Sequence, residues 1–274
     1  MRSFHKKQWE MFNKMRDSGE LAHAYLFSGP AGVGKLAFAR DCAKLVQGMS
    51  PEEDHNNHPD IIEFLDALSI SSVRDIKKRV NLSPFAGHFK IIIINTADRM
   101  RPEAVNALLK TIEEPRGDSI FFLIAANPKL LLPTIVSRVL EIKFNLVPDD
   151  LMEKELETGS ISILKPHWQG RPAFALALLK NAEFRAKVEE YRNDCAIFLK
   201  GPVSQRFTIS DKYAKMDEIT QALAIWMEYI HSKKELENKE GLLRRLSKAY
   251  WTVSNTNANA KYILNSLAVS GFKN

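Results

Sequence analysis

Gly29-Pro30-Ala31-Gly32-Val33-Gly34-Lys35 is the stretch whose residue types and spacing point most directly to chemistry. It follows a short apolar run, Ala24–Ser28, and opens a helix-like pattern, Lys35–Val46. A glycine-rich turn between a strand and a helix is built to hold phosphate. Its backbone amides and the helix N-terminus face the anion, and a lysine at its end reaches the terminal groups. Gly29, Gly32, Gly34 and Lys35 are therefore the candidate nucleotide-binding residues.

The partners of that loop are wrong for hydrolysis. The next position should carry a Ser or Thr hydroxyl for Mg²⁺, and here it is Leu36, which has no ligand atom. A working site also sets a metal-orienting carboxylate and a second acidic residue at the end of a nearby strand. After Ile91–Ile94 this chain has Asn95 and Thr96. The nearest carboxylate, Asp98, falls past the strand end. Three catalytic groups are missing, so the expectation is a phosphate loop without hydrolysis. No cofactor is required, and binding of ATP or ADP is at most weak.

The elements that must position the loop alternate. Strands are expected at 24–28, 61–64, 89–95, 119–126 and 140–144, and helices at 1–20, 35–46, 71–82 and 102–113, with Ser71 or Ser72 capping the third helix. Strand–helix alternation is the pattern of a parallel α/β sheet, and strands apolar on both faces suit its interior. Beyond residue 144 the pattern turns helical, interrupted at Gly170–Pro172, Gly201–Pro202 and Asn255–Asn259. The division read from this is 1–145 for the α/β domain, 146–182 for a small helical domain and 183–274 for a larger all-helical one.

Composition excludes several classes. With 274 residues, 45% hydrophobic and 26% charged, the chain has the profile of a globular protein of more than one domain. Its apolar runs are too short to cross a bilayer, so no membrane partner is expected. Cys42 and Cys195 lie in helix-like apolar patterns. They are expected as buried free thiols, which suits a reducing, cytoplasmic setting. A net charge of +6 permits a polyanionic partner without identifying one.

Several motifs together resemble one family. Asn95-Thr96-Ala97-Asp98-Arg99-Met100, followed by Asn106-Ala107-Leu108-Leu109-Lys110-Thr111-Ile112-Glu113-Glu114-Pro115, resembles bacterial clamp-loader subunits of the delta-prime and gamma/tau type. His23–Gly29, His58-Pro59-Asp60 and Ser137-Arg138 after Pro133–Val136 are similar to the same family. The resemblance covers residues 1–180 well and the remainder only as a helical stretch. It implies an AAA+ fold: a P-loop parallel-sheet domain, a small helical lid and an all-helical C-terminal collar. It also implies partners, namely gamma/tau and delta clamp-loader subunits, a sliding clamp and primer–template DNA, in DNA replication by the DNA polymerase III holoenzyme. The defects at Leu36, Asn95 and Thr96 select the delta-prime type, a stator that does not hydrolyse ATP.

The same resemblance makes Arg138 an arginine finger acting in trans on a neighbour's ATP. The plain alternative is a surface arginine near a helix end. Asn127 and Arg171 fall where the family keeps a phosphate-sensing residue and a lid arginine. With a dead site Asn127 is expected to be structural, and Arg171 to pack or be solvated. Arg74, Lys77 and Lys78 form a basic helical cluster that could meet DNA phosphates, or be a solvated face. Many relatives carry a zinc-binding cysteine cluster between the P-loop helix and His58. Gln47–Asn57 has no cysteine, so no metal site is expected. Two rivals stand beside the stator reading: an ATP-hydrolysing subunit of the gamma/tau type that uses Asp98, and a stand-alone DNA-binding protein.

Overall fold

The computed structural model describes residues 1–66, 68–113, 118–156, 170–214, 219–233, 236–256 and 258–269. Within them the chain forms two compact units, described separately below. The first contains α1 (Lys6–Asp17), β1 (Ala24–Ser28), α2 (Lys35–Val46), β2 (Ile61–Phe64), α3 (Ile70–Val80), β3 (Lys90–Ile94), α4 (Pro102–Glu113), β4 (Ser119–Ala125), α5 (Pro133–Val136), β5 (Leu140–Lys143) and α6 (Asp149–Leu156).

The strands form one parallel sheet in the order β2-β3-β4-β1-β5. Side chains alternate across a strand, and here both sets are apolar because both faces are covered. Leu26, Ile92, Ile94, Phe121 and Leu123 pack with Val73, Ile76 and Val80 of α3 and with Val105, Leu108 and Ile112 of α4. Tyr25, Phe27, Ile91, Ile93 and Phe122 pack on the other side with Phe12 of α1 and Phe38, Cys42 and Val46 of α2. Parallel strands buried on both faces read as continuous apolar runs. That is why β3 and β4 were legible from sequence.

The third helix differs from expectation at its start. Ser69, not Ser71 or Ser72, is the cap: its Oγ accepts a hydrogen bond from the Ser72 amide at 3.1 Å. Before β2 the chain forms one short 3₁₀ turn, His55–Asn57.

The helix α7 (Pro172–Lys180) begins in the first unit and ends in the second. The second unit continues with α8 (Ala182–Lys200), α9 (Val203–Tyr213), α10 (Ile219–Ser232), α11 (Lys239–Asn255) and α12 (Ala260–Val269). Its core holds Tyr191, Phe198, Tyr213 and Trp226, with Phe198 and Trp226 ring centroids 4.9 Å apart. The Tyr213 hydroxyl donates to Asp194 at 2.8 Å, and Lys212 bridges Asp194 and Glu190. Both cysteines are free and buried, as expected. Among the described residues no helix is long and apolar enough to cross a membrane.

Candidate functional site

The glycine-rich turn lies between β1 and α2 and walls a cavity of about 430 Å³. Two glycines are required by geometry. A Cβ at Gly29 would stand 2.0 Å from the Phe144 carbonyl oxygen, so only glycine lets the chain leave β1 beside β5. Gly34 enters α2 with φ of +103°, in the left-handed region that side chains avoid. Gly32, Gly34 and Lys35 line the cavity with Leu36, Arg40, Asn95, Thr96 and Asp98. The residues singled out from sequence at the phosphate loop and at the end of β3 are therefore brought together.

Each is engaged in a way that bears on chemistry. Lys35 is buried, and its ammonium donates to the Gly29 and Pro30 carbonyl oxygens of its own loop. Burial pushes its pKa down to about 8, with Asp98 opposing the fall and Arg171 adding to it. A phosphate would have to draw the lysine off those carbonyls. Leu36 lines the cavity while also packing against the apolar cluster on the α2 side of the sheet. The Asn95 amide group donates to the Leu65 carbonyl oxygen at 3.2 Å, tying the ends of β3 and β2. Thr96 has a left-handed backbone, φ 51° and ψ 41°, uncommon for a β-branched residue. Asp98 Oδ2 accepts from the Ala126 and Asn127 amides at 2.9 and 2.8 Å. The one carboxylate at the β3 end thus holds the end of β4.

The Asn127 side-chain oxygen accepts from the Lys129 amide at 3.1 Å. Arg171 lies against Gly32, where a Cβ would come within 3.3 Å of its side chain.

Sequence reasoning missed His5. Its ring donates to the Val33 carbonyl oxygen of the phosphate loop at 2.7 Å and meets the Phe144 ring edge-on at 4.8 Å. Burial lowers its pKa and so favours the neutral ring. No local motif marks such a contact, because its partners lie far along the chain.

Arg138 is outside this cavity, at the exposed C-terminal end of α5. Its Nε meets Glu113 Oε1 at 2.5 Å, and its Nη1 donates to the Thr134 carbonyl oxygen and Ser137 Oγ at 2.9 and 3.1 Å. Glu113 ends α4. The next two residues of the sequence motif, Glu114 and Pro115, lie outside the described residues.

On α3, Arg74 and Lys78 are exposed and Lys77 is half-buried, opposite the buried Val73, Ile76 and Val80. Among the described residues none of the three forms an ion pair. His55 bonds Glu63 Oε2 at 3.0 Å, and Arg40 pairs with the same carboxylate. His58 Nδ1 accepts from the Asp60 amide at 3.2 Å. Among the described residues no cluster of His, Cys, Asp and Glu is arranged to hold a metal.

Asp60, the last residue of His58-Pro59-Asp60, is fully buried and does more than the motif suggested. Its carboxylate accepts from the Phe85, Ala86 and Gly87 amides at 2.7–3.0 Å. Beside that turn, the buried Lys90 donates to the Arg79 and Leu82 carbonyl oxygens. The turn is thus fixed through its backbone, while the Phe85 ring itself is 87% exposed. Burial alone would raise the Asp60 pKa. The three amides, Ala86 first, and the nearby His58 outweigh it and hold the carboxyl below the ordinary range.

Asp60→Ala should therefore cost about 2–4 kcal/mol, the scale of hydrogen bonds to a charged group plus stranded donors. Because the folded pKa is the lower one, this stabilisation is complete above the unfolded value near 4. It is lost as pH falls through the folded value. Urea unfolding of wild type and variant should show a constant gap above about pH 5 that narrows below about pH 4. A gap independent of pH would mean that the carboxylate charge is not what holds the turn.

The family described as DNA polymerase III, delta subunit, matches residues 4–148. DNA polymerase III subunit delta' of Bacillus subtilis is 34% identical over 195 residues, covering 63% of this chain and 59% of that one. DNA polymerase III subunit tau of the same organism is 30% identical over 241 residues, covering 74% and 42% respectively. The chain therefore spans roughly half the length of these relatives. A gamma subunit-related protein of DNA polymerase III from Thermotoga maritima superposes with a TM-score of 0.65 at 21% identity, covering 94% of this chain and 97% of that one. That likeness shows the fold: a parallel α/β domain of the AAA+ kind with a helical C-terminal part.

Proposed function

The chain belongs to the DNA polymerase III delta-subunit family, and on that premise we propose that it is a non-catalytic clamp-loader subunit of the delta-prime type. In this reading it acts as a stator within the DNA polymerase III holoenzyme. It supplies Arg138 to a neighbouring ATP site while a sliding clamp is loaded onto primed DNA. The observation that carries the reading is a phosphate loop whose catalytic partners are replaced. Leu36 packs into the core, Asn95 ties two strand ends, and Asp98 is occupied by backbone amides.

The proposal extends to the rest of the chain. The division into 1–145, 146–182 and 183–274 assigns the last part to assembly with gamma/tau and delta subunits. Arg74, Lys77 and Lys78 are free of ion pairs among the described residues, which suits phosphate contacts inside such a complex. Lys35, held by its own loop, suits weak or absent binding of ATP or ADP. A cytoplasmic setting suits two buried thiols in free form.

The similarity to subunit tau supports a second reading, an ATP-hydrolysing subunit of the gamma/tau type. A phosphate-release assay separates the two. The isolated chain with Mg²⁺ and ATP should give no turnover above that of Lys35→Ala. Leu36→Thr alone should stay at the same baseline, because the strand-end carboxylates are still missing. Turnover by the wild-type chain that Lys35→Ala abolishes would decide for the hydrolysing subunit.

A further inference from the structure

We infer that Glu113 is a positioning residue for Arg138, setting the guanidinium so that its Nη2 edge is presented to an anionic group brought by a neighbouring subunit. The inference deepens the reading of Arg138 given above and rests on it.

The guanidinium is held on two of its three nitrogens. Nε meets Glu113, and Nη1 donates to the Thr134 carbonyl oxygen and Ser137 Oγ. Nη2 has no partner among the described residues. An unrestrained arginine at a helix end samples many rotamers, and a ligand that captures it must bear the cost of ordering it. Here the ordering is supplied in advance by contacts that leave one edge of the planar fork open. That edge still offers two N–H donors, suited to phosphate oxygens.

The elements behind the contact are rigid. Glu113 ends α4, which is anchored by Ala104, Val105, Leu108 and Ile112. Arg138 follows α5, anchored by Ile135 in the same apolar cluster. Two helices seated in one close-packed core keep carboxylate and guanidinium at a fixed separation. Stability is not what this contact serves. The two side chains are 37% and 38% exposed, and exposed ion pairs contribute little to folding. A three-point restraint on a surface arginine that does little for folding is best explained by orientation.

The test uses complexes reconstituted from gamma/tau and delta subunits with this chain as wild type, Glu113→Ala, Glu113→Gln, Arg138→Ala or the double variant. DNA-stimulated ATP hydrolysis is followed as kcat and KM, with assembly and melting checked for each. Glu113→Ala should lower kcat in the same direction as Arg138→Ala and by no more than that variant does, with KM and melting unchanged, as for a misplaced catalytic group. Glu113→Gln keeps an acceptor for Nε and should retain more than half of wild-type kcat. In the Arg138→Ala background, Glu113→Ala should have no further effect. If Arg138→Ala lowers kcat and Glu113→Ala does not, the pair is an ordinary surface ion pair. Additive losses would mean that Glu113 acts independently of Arg138, and a raised kcat would make it a restraint that holds the arginine back. No change with Arg138→Ala itself would remove the trans reading of Arg138, and the inference with it.

Discussion

Complexes rebuilt with Arg138→Ala should assemble at the wild-type level, hydrolyse ATP more slowly and load clamps more slowly. The expected fall in turnover is about twofold if the ring's sites act independently, and about tenfold or more if they act in sequence. An arginine contacting the transferring phosphoryl is worth roughly 10³–10⁵ in the best cases, and under the proposed function Arg138 would serve one site among several. The argument begins with where the residue is not. Arg138 does not line the cavity formed by Gly32, Lys35, Leu36 and Asp98, so the chain's own phosphate loop is not its target. It is exposed, and its side chain is restrained at Nε and Nη1 rather than left to solvent. A guanidinium keeps its charge at any working pH and presents donors in a rigid fork, which suits charge developing on phosphate oxygens. Arg138→Lys should therefore recover little, since an ammonium is a point charge on a flexible stem. Folding should be untouched, because the residue is exposed and buries no apolar surface of consequence. Unchanged DNA-stimulated turnover in a complex of confirmed composition would make Arg138 an ordinary surface residue.

What the sequence revealed and what it hid divide along a physical line. The sheet was legible because both faces of β3 and β4 are covered, leaving runs such as Ile91–Ile94 with no polar interruption. The phosphate loop was legible because its glycines meet local backbone demands at fixed spacing. Gaps at Leu36, Asn95 and Thr96 could be read as absences from a known pattern. The start of α3 was misplaced because Ser69, Ser71 and Ser72 can all cap a helix, and the choice depends on which hydroxyl the backbone brings to an amide.

Long-range polar contacts had no signal at all. Asp60 reaches amides 25 to 27 residues away, His5 reaches Val33, and Glu113 reaches Arg138 from a different helix. Such pairs exist only once the sheet order has set which loops are neighbours. These contacts also decide what the candidate site can do. Asp98 was a plausible substitute carboxylate by sequence, yet its Oδ2 is already bonded to two amides.

Tyr262→Ala should leave the isolated chain as stable as wild type and weaken its entry into the complex by about 10- to 30-fold. Exposure separates the aromatic residues of 183–274 into core and surface. Phe198 and Trp226 are core. Tyr229 and Tyr250 are half-buried. Trp251 is 54% exposed, and Tyr262, which sequence reasoning did not single out, is 76% exposed. Tyr262 borders a groove of about 620 Å³ between α11 and α12, walled by Arg245, Lys248, Ala249, Thr252, Ile263 and Leu267. A large aromatic side chain left in solvent beside an apolar groove, as Tyr262 is, is the composition of an interface anchor. Truncating such an anchor costs roughly 1.4–2 kcal/mol, which is the stated loss of affinity. Phe198→Ala provides the contrast. It empties a buried site and should cost about 3–5 kcal/mol of stability, so its assembly defect would follow unfolding rather than a lost contact. A chain ending at Asn181, before α8, should keep the cores on both faces of the sheet and fail to assemble. The measurements are melting of each isolated chain and the size of the mixture with gamma/tau and delta subunits across a dilution series. Wild-type assembly by Tyr262→Ala would make this residue ordinary surface, and full-affinity assembly by the truncated chain would overturn the assignment of residues 183–274 to the collar.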